Sequence, residues 1–373
     1  LAVTALRDGR DAVALTRSLL AVDTINPPGN EAGCARAIAA LLEARGFVVM
    51  LHEFAPGRAN LIARIGDQAA PLVFTGHLDT VPLGASAWRH DPFAGETDGD
   101  RLYGRGSSDM KSGIAAMIVA AAALADHVRR ARRGVALVLT AAEEGGCVGS
   151  RHLIEAPALL GNAAALVVGE PTGNYPHVGH KGTLKFWARY RGVAAHGSMP
   201  HLGESALYKA ACAVCRLQAF RFPGAGTTHP VMGAPTLNVG VMHAGDTINS
   251  VPDDARIGVD IRTVAGQDHA RLLEAVRAEL GDVAEVDVFQ DTAAVWTAPE
   301  VEWVERVFAI CGETLGERPV ARTMTYNTDA GNLRRAWPRV PVVVLGPGDA
   351  ALAHQVDESC SLERIRAARA LYQ

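Results

Sequence analysis

The 373-residue chain lacks any excess of basic charge: its net charge is −4, which leaves no field to attract a nucleic-acid backbone. The one basic cluster, Arg129, Arg130, Arg132 and Arg133, falls between a helical and a strand-like segment and reads as a solvated loop. Long apolar runs are missing too. A bilayer-spanning helix needs roughly 18 consecutive apolar residues, and the longest run, Ile114–Ala125, is Ala-rich and stops at Asp126. The N-terminus has neither the charged start nor the apolar core of a secretory signal, so the cytosol is the expected compartment. Repeats and low-complexity tracts are absent apart from Ala richness. The six cysteines have no regular spacing, which excludes a disulfide framework. Cys212 and Cys215 form a C-x-x-C inside a helical pattern, Ser205–Leu217, with no second pair to complete a four-ligand site. Cys147 reads as packing.

What is present is a set of carboxylates and histidines that follow apolar segments. Glu143 and Glu144 come just after Val135–Thr140, and adjacent buried carboxylates repel unless a cation or proton holds them. The strand-like Leu72–His77 runs into His77, with Asp79 two residues on, positioned to orient the imidazole through its second N–H. Gly106-Ser-Ser-Asp109-Met-Lys-Ser-Gly113 delivers Asp109 from a glycine-bounded loop ahead of an Ala-rich helix. Glu170 follows Ala165–Val168, and His354 lies in the loop after Val340–Leu345. Two imidazoles with three or four carboxylates suit Zn²⁺, Co²⁺ or Mn²⁺, and the ligand count fits two ions better than one.

In this order, His-x-Asp, Gly-x-x-Asp-Met-Lys-x-Gly, Glu-Glu, Gly-Glu-Pro-Thr and a late His, the motifs span nearly the whole chain. They resemble the M20 family of metallopeptidases and N-acyl-amino-acid amidohydrolases, and within it the group of acetylornithine deacetylases and succinyl-diaminopimelate desuccinylases. The resemblance implies two divalent metals, most simply zinc, with Asp109 bridging, His77 and Glu170 on one ion, and Glu144 and His354 on the other. It implies a cis peptide at Asp109–Met110 and hydrolysis of an amide in a small N-acyl amino acid. The nucleophile is a water held between the metals, and Glu143 is its general base. Adjacent side chains on an extended strand diverge, so only one of the glutamates needs to reach a metal. His196, in Ala194-Ala-His-Gly-Ser-Met-Pro-His201, resembles a histidine that reaches the partner's active site across a homodimer. Asn249 and Arg262 match residues that hold substrate, the arginine clamping a carboxylate. A dipeptidase or carboxypeptidase is the alternative within the same chemistry. A metal carrier without catalysis is the alternative outside it, and the presence of Glu143 argues against it.

The length suggests two domains. Ala12–Val22 and Glu31–Arg45 read as helices, then Phe47–Phe54, Ala59–Ile65 and Leu72–His77 as strands, Lys111–Asp126 as a helix and Val135–Thr140 as a strand. This alternation implies an α/β domain with a mixed, mostly parallel sheet flanked by helices. From His180 the pattern becomes strand (Thr183–Arg191), helix (Glu204–Leu217), two strands (Thr236–His243, Arg256–Arg262), helix (Gln267–Leu280) and strand (Glu285–Phe289), the order of a ferredoxin-like domain. The expected division is therefore a catalytic domain over 1–179 and 292–373, with a lid and dimerisation domain over 180–291 inserted in it and Lys181–Gly182 at the hinge.

Overall fold

The structure is a computed structural model that describes residues 10–224 and 228–373. The chain divides into two compact units: one holds the residues up to Gly179 with Trp296–Arg322 and Thr328–Gln373, the other His180–Val295 with Thr323–Asn327.

The first unit is built on a six-stranded sheet in the order Val48–Ala55, Arg58–Gly66, Gly134–Thr140, Leu72–His77, Ala165–Val168, Val342–Val344. Arg58–Gly66 pairs antiparallel with both its neighbours, and the remaining pairings between adjacent strands are parallel. Gly134–Thr140 is buried at every residue and Leu72–His77 at all but the first, as central strands covered on both faces require. Ser112–Ala123 is buried along almost its whole length. A helix apolar all round belongs inside a protein, and its small residues let it lie close to the sheet. At Gly113 a Cβ would overlap the carbonyl oxygen of Gly169, so only glycine permits the approach of that helix to the loop carrying Glu170. The amphipathic helices Ala12–Leu20 and Glu31–Glu43 bury their apolar faces in the same core.

The second unit has a four-stranded antiparallel sheet in the order Thr236–Ala244, Asp254–Thr263, Gly182–Arg191, Glu285–Thr292. Helices Ala206–Gln218 and His269–Leu280 pack on it through Ala206, Ala210, Ala213, Leu217, Leu272, Val276 and Leu280. Along Gly182–Arg191 the odd and even positions alternate in burial, as expected for a sheet covered on one face. The connectivity is ferredoxin-like, and the whole is α/β with a second α+β unit. Cys212 and Cys215 are exposed on the first of these helices.

Candidate active site

In open α/β sheets the loops beyond the carboxyl ends of the strands form the binding edge. Here the strands ending at His77, Thr140, Val168 and Val344 run parallel and lead into the segments carrying Asp79, Glu143 and Glu144, Glu170, and His354. Asp109 arrives from the loop before Ser112–Ala123, and Asp109–Met110 is cis.

These side chains converge in two clusters that share Asp109: His77, Asp109 and Glu170, and Asp109, Glu144 and His354, with the donor atoms of each cluster within 4.8 Å of one another. His77 Nε2 lies 3.0 Å from Asp109 Oδ1 and 3.8 Å from Glu170 Oε1. His354 Nε2 lies 3.4 Å from Asp109 Oδ2 and 3.1 Å from Glu144 Oε1. The two oxygens of Asp109 thus face different clusters, the geometry a carboxylate needs to bridge two ions. Imidazole and carboxylate donors within this span fit divalent ions with ligand bonds of about 2.0–2.2 Å.

The electrostatics call for positive charge. Burial raises the carboxyl pKa values of Glu143 and Glu170 well above the usual range, and that of Glu144 less strongly. Burial would also raise Asp109, but hydrogen bonds with His354 and His77 outweigh it and hold that carboxyl well below its ordinary value. His77 loses solvation on burial, yet Asp109 and Asp79 push its pKa well up. Hydrogen bonds with Asp109 and Glu144 raise His354 to about 10. A cluster of carboxylates around two imidazoles is the environment that a divalent cation would stabilise.

Two readings of the sequence need correction. Asp79 does not orient His77 chiefly through its carboxylate: Nδ1 is 2.9 Å from the backbone carbonyl of Asp79 and 3.6 Å from Oδ1. The chain turns at the strand end, bringing the carbonyl under the ring. The carboxylate accepts instead from the backbone N–H of Glu143 at 3.0 Å and of Glu144 at 3.2 Å, and from Asn26 Nδ2 at 2.9 Å. Glu143 and Glu144 are likewise not on an extended strand. The strand stops at Thr140, Ala142 has φ +58°, and the pair sits in a turn whose amides Asp79 pins. The Asp109 loop is held in a similar way, with the backbone N–H groups of Gly106, Ser108 and Asp109 all donating to Glu358.

Further supports left little signal in the sequence. Glu31, paired with Arg58, accepts from Ala142 N, and Asn60 accepts from Ala141 N. Cys147 Sγ lies 3.2 Å from Glu143 Oε1 and donates to it. Lys111 is buried, with Nζ donating to the carbonyls of Leu19 and Val22. A pattern search finds none of these, since each acts on backbone or at one isolated position.

In the second unit, His196 and Asn249 lie on neighbouring segments: Ala195–His196 pairs with Ser250–Val251, and Gly197 N donates to Asn249 O. His196 is exposed, with Nδ1 2.7 Å from Ser198 Oγ. Arg262 forms an ion pair with Asp260 and donates to Thr183 Oγ1 at 3.1 Å.

Comparison with known proteins agrees with this geometry. Succinyl-diaminopimelate desuccinylase of Dinoroseobacter shibae is 32% identical, covering 97% of each chain. Acetylornithine deacetylase of Vibrio cholerae is 29% identical, covering 94% of this chain and 92% of the relative. Among solved structures, an M20 family metallo-carboxypeptidase from Sulfolobus solfataricus superposes with a TM-score of 0.79 at 20% identity over 97% of each chain. A tripeptidase from Staphylococcus aureus does so at 0.74 and 22%, over 98% of each. Residues 73–373 match peptidase family M20/M25/M40, so the chain belongs to that family and is a metal-dependent amide hydrolase.

Proposed function

We propose that the protein hydrolyses the amide bond of a small N-acyl amino acid, as a deacetylase or desuccinylase. His77, Glu170 and Asp109 would hold one divalent ion and Glu144, His354 and Asp109 another, most simply zinc, with cobalt or manganese as alternatives. The observation that carries this reading is the sharing of Asp109 between the two clusters. Bound there, the metals would lower the pKa of water toward neutrality and polarise the scissile carbonyl.

The chain's own groups do the rest. Glu143, half-buried and outside both clusters, takes the proton of the attacking water and returns it to the leaving nitrogen. Burial raises its pKa, which makes it a better base than an exposed glutamate. Asp79 fixes the backbone of Glu143 and Glu144. His196 donates to the oxyanion across a homodimer formed through the second unit, while Asn249 and Arg262 hold the substrate carboxylate. Of the cations available for a second, succinyl carboxylate, Lys181 Nζ donates to Ala234 O at 2.6 Å and Arg322 lies 4.1 Å over the Tyr175 ring. Among the described residues no helix is long and apolar enough to cross a membrane, and we place the enzyme in the cytoplasm.

The test is hydrolysis of N-acetyl-L-ornithine, N-succinyl-L,L-diaminopimelate, other N-acyl amino acids and a dipeptide set by Zn²⁺- or Co²⁺-loaded protein, with a chelated control. Metal-dependent cleavage of the N-acyl amino acids supports the reading. Cleavage of the dipeptides alone replaces it with a peptidase.

A further inference from the structure

We propose that Glu358, together with Arg105, is a positioning residue that fixes the Asp109 loop and thereby sets metal affinity at the Asp109–Glu144–His354 cluster. The inference rests on the dinuclear reading above.

Glu358 is fully buried and both its oxygens are engaged. Oε1 accepts from Ser108 N at 2.8 Å and Asp109 N at 2.9 Å; Oε2 accepts from Gly106 N at 3.0 Å and Arg105 Nη1 at 2.5 Å. Arg105 is itself buried, donates through Nη2 to Pro82 O at 3.0 Å and lies 5.1 Å over the Trp88 ring. The loop can turn three N–H groups toward one carboxylate because Gly106 sits at φ +87°, a conformation that glycine adopts at no steric cost. The direction of the Asp109 N–H helps set the direction of its Cα–Cβ bond, and so where the shared carboxylate points.

A buried ion pair is weak evidence for stability, since well-packed apolar residues of similar volume often serve as well or better. What apolar residues could not do is hold three amides in a fixed orientation.

Glu358 also joins two of the three segments that supply this cluster. It follows His354 by four positions in sequence, and its own carbonyl accepts from Gly104 N at 2.9 Å. Next to it, Ser108 Oγ donates to Ser359 O and accepts from Asp349 N, while Asp357 takes the backbone N–H and Nε of Arg89, each at 2.8 Å. The segment bearing His354 and the loop bearing Asp109 are thus tied together at Glu358. His77, by contrast, ends a strand held by ladders on both sides, and Glu170 follows a strand paired on both sides. Loss of Glu358 should therefore reach one cluster more than the other.

Glu358→Gln offers one acceptor oxygen and turns an NH₂ toward donors. We would titrate full-length metal-free wild type and variant with Co²⁺, measuring stoichiometry and affinity by calorimetry and the ligand field by visible absorption. One of the two equivalents should weaken by about 10–100-fold, the usual effect of losing a group that orients metal ligands, with an altered Co²⁺ spectrum and the other equivalent retained. Equal weakening of both equivalents, or unchanged affinities and spectrum with only a lower Tm, overturns the proposal. Phe308→Leu, a core change on the Glu302–Leu315 helix, is the control for lowered stability and should keep both equivalents. If Glu358→Gln does not fold, Arg105→Lys keeps the charge but loses the guanidinium fork. It should weaken one equivalent more than the other, as Glu358→Gln would, and unchanged binding overturns the proposal. A wild type that takes up fewer than two equivalents refutes the dinuclear reading instead.

Discussion

Asp79→Asn is the substitution whose cost can be worked most directly from the structure. The carboxylate is completely buried and accepts three hydrogen bonds, Oδ1 from Glu143 N and Oδ2 from Glu144 N and Asn26 Nδ2. An amide has one acceptor oxygen. Placed where Oδ2 stands it keeps two of the three bonds and turns its NH₂ against the N–H of Glu143; the opposite rotamer keeps only one. The better rotamer leaves one buried N–H unsatisfied, at about 1–3 kcal/mol, and replaces charged acceptors by neutral ones. A loss of about 2–4 kcal/mol follows, and each kcal/mol corresponds to roughly 2–4 °C in Tm for a unit of this size. The unpinned amide belongs to the proposed general base, and misplacement by about 1 Å can cost on the order of 100-fold in rate. Urea unfolding of the metal-free protein and turnover of the metal-loaded protein measure the two effects separately. The acid limb supplies a third check. Burial would raise the Asp79 carboxyl, but the neighbouring His77 imidazole and the hydrogen bonds from Asn26 and the Glu143 amide outweigh this and hold the pKa below the ordinary value. Its contribution is therefore present above the unfolded pKa near 4 and is lost as pH falls through the folded value, a dependence the Asn variant should lack. An Asn variant with wild-type stability and turnover would refute the argument and reduce Asp79 to a turn cap.

Glu143→Gln should keep both metals and lose about 10²–10⁴-fold in turnover; retained activity in the metal-loaded variant removes Glu143 as base. Zinc binding near pH 8 should release protons, because His77 and His354 carry raised pKa values in the metal-free site. Calorimetry in two buffers of different ionisation enthalpy reads that release, and buffer-independent heats would contradict it. By the same linkage, the stability that protonated His354 gives the metal-free protein is complete below its unfolded pKa near 6.5 and is lost as pH rises through about 10. Gly113→Ala drives a methyl into the carbonyl of Gly169 and should cost about 1–3 kcal/mol while weakening metal binding by displacing Glu170; unchanged metal affinity would show that the loop yields. Mixing His196→Ala and Glu143→Ala chains should restore partial turnover if His196 serves a partner's site, whereas verified heterodimers without activity place its role within one chain.

Four of the five proposed ligands, His77, Glu144, Glu170 and His354, were legible because each ends or follows a short apolar run that folds as a strand of the six-stranded sheet, so the end of the run marked the rim; Asp109 was legible from its glycine-bounded loop instead. The second unit was legible for a related reason: half-covered strands such as Gly182–Arg191 alternate in polarity. The tethers were not legible. Glu358 acts on amides about 250 residues earlier in the chain, and a carboxylate bonded to backbone leaves no pattern in side-chain types. The helix Val148–Glu155, which the structure enters through Cys147 at φ +59°, lies outside the segments expected from the sequence. The turn at Ala142 was hidden too, since alanine at positive φ carries no signal of its own.

The strand Val342–Val344 lies beside Ala165–Val168 in the same sheet, although the whole second unit intervenes in the chain. In vectorial synthesis the ribosome therefore releases His77, Asp109, Glu144 and Glu170 long before His354. The nascent chain can assemble most of its sheet while one cluster still lacks its imidazole. That cluster closes only when the last segment docks beside a strand made much earlier, and metal retention then becomes a report that the chain is finished.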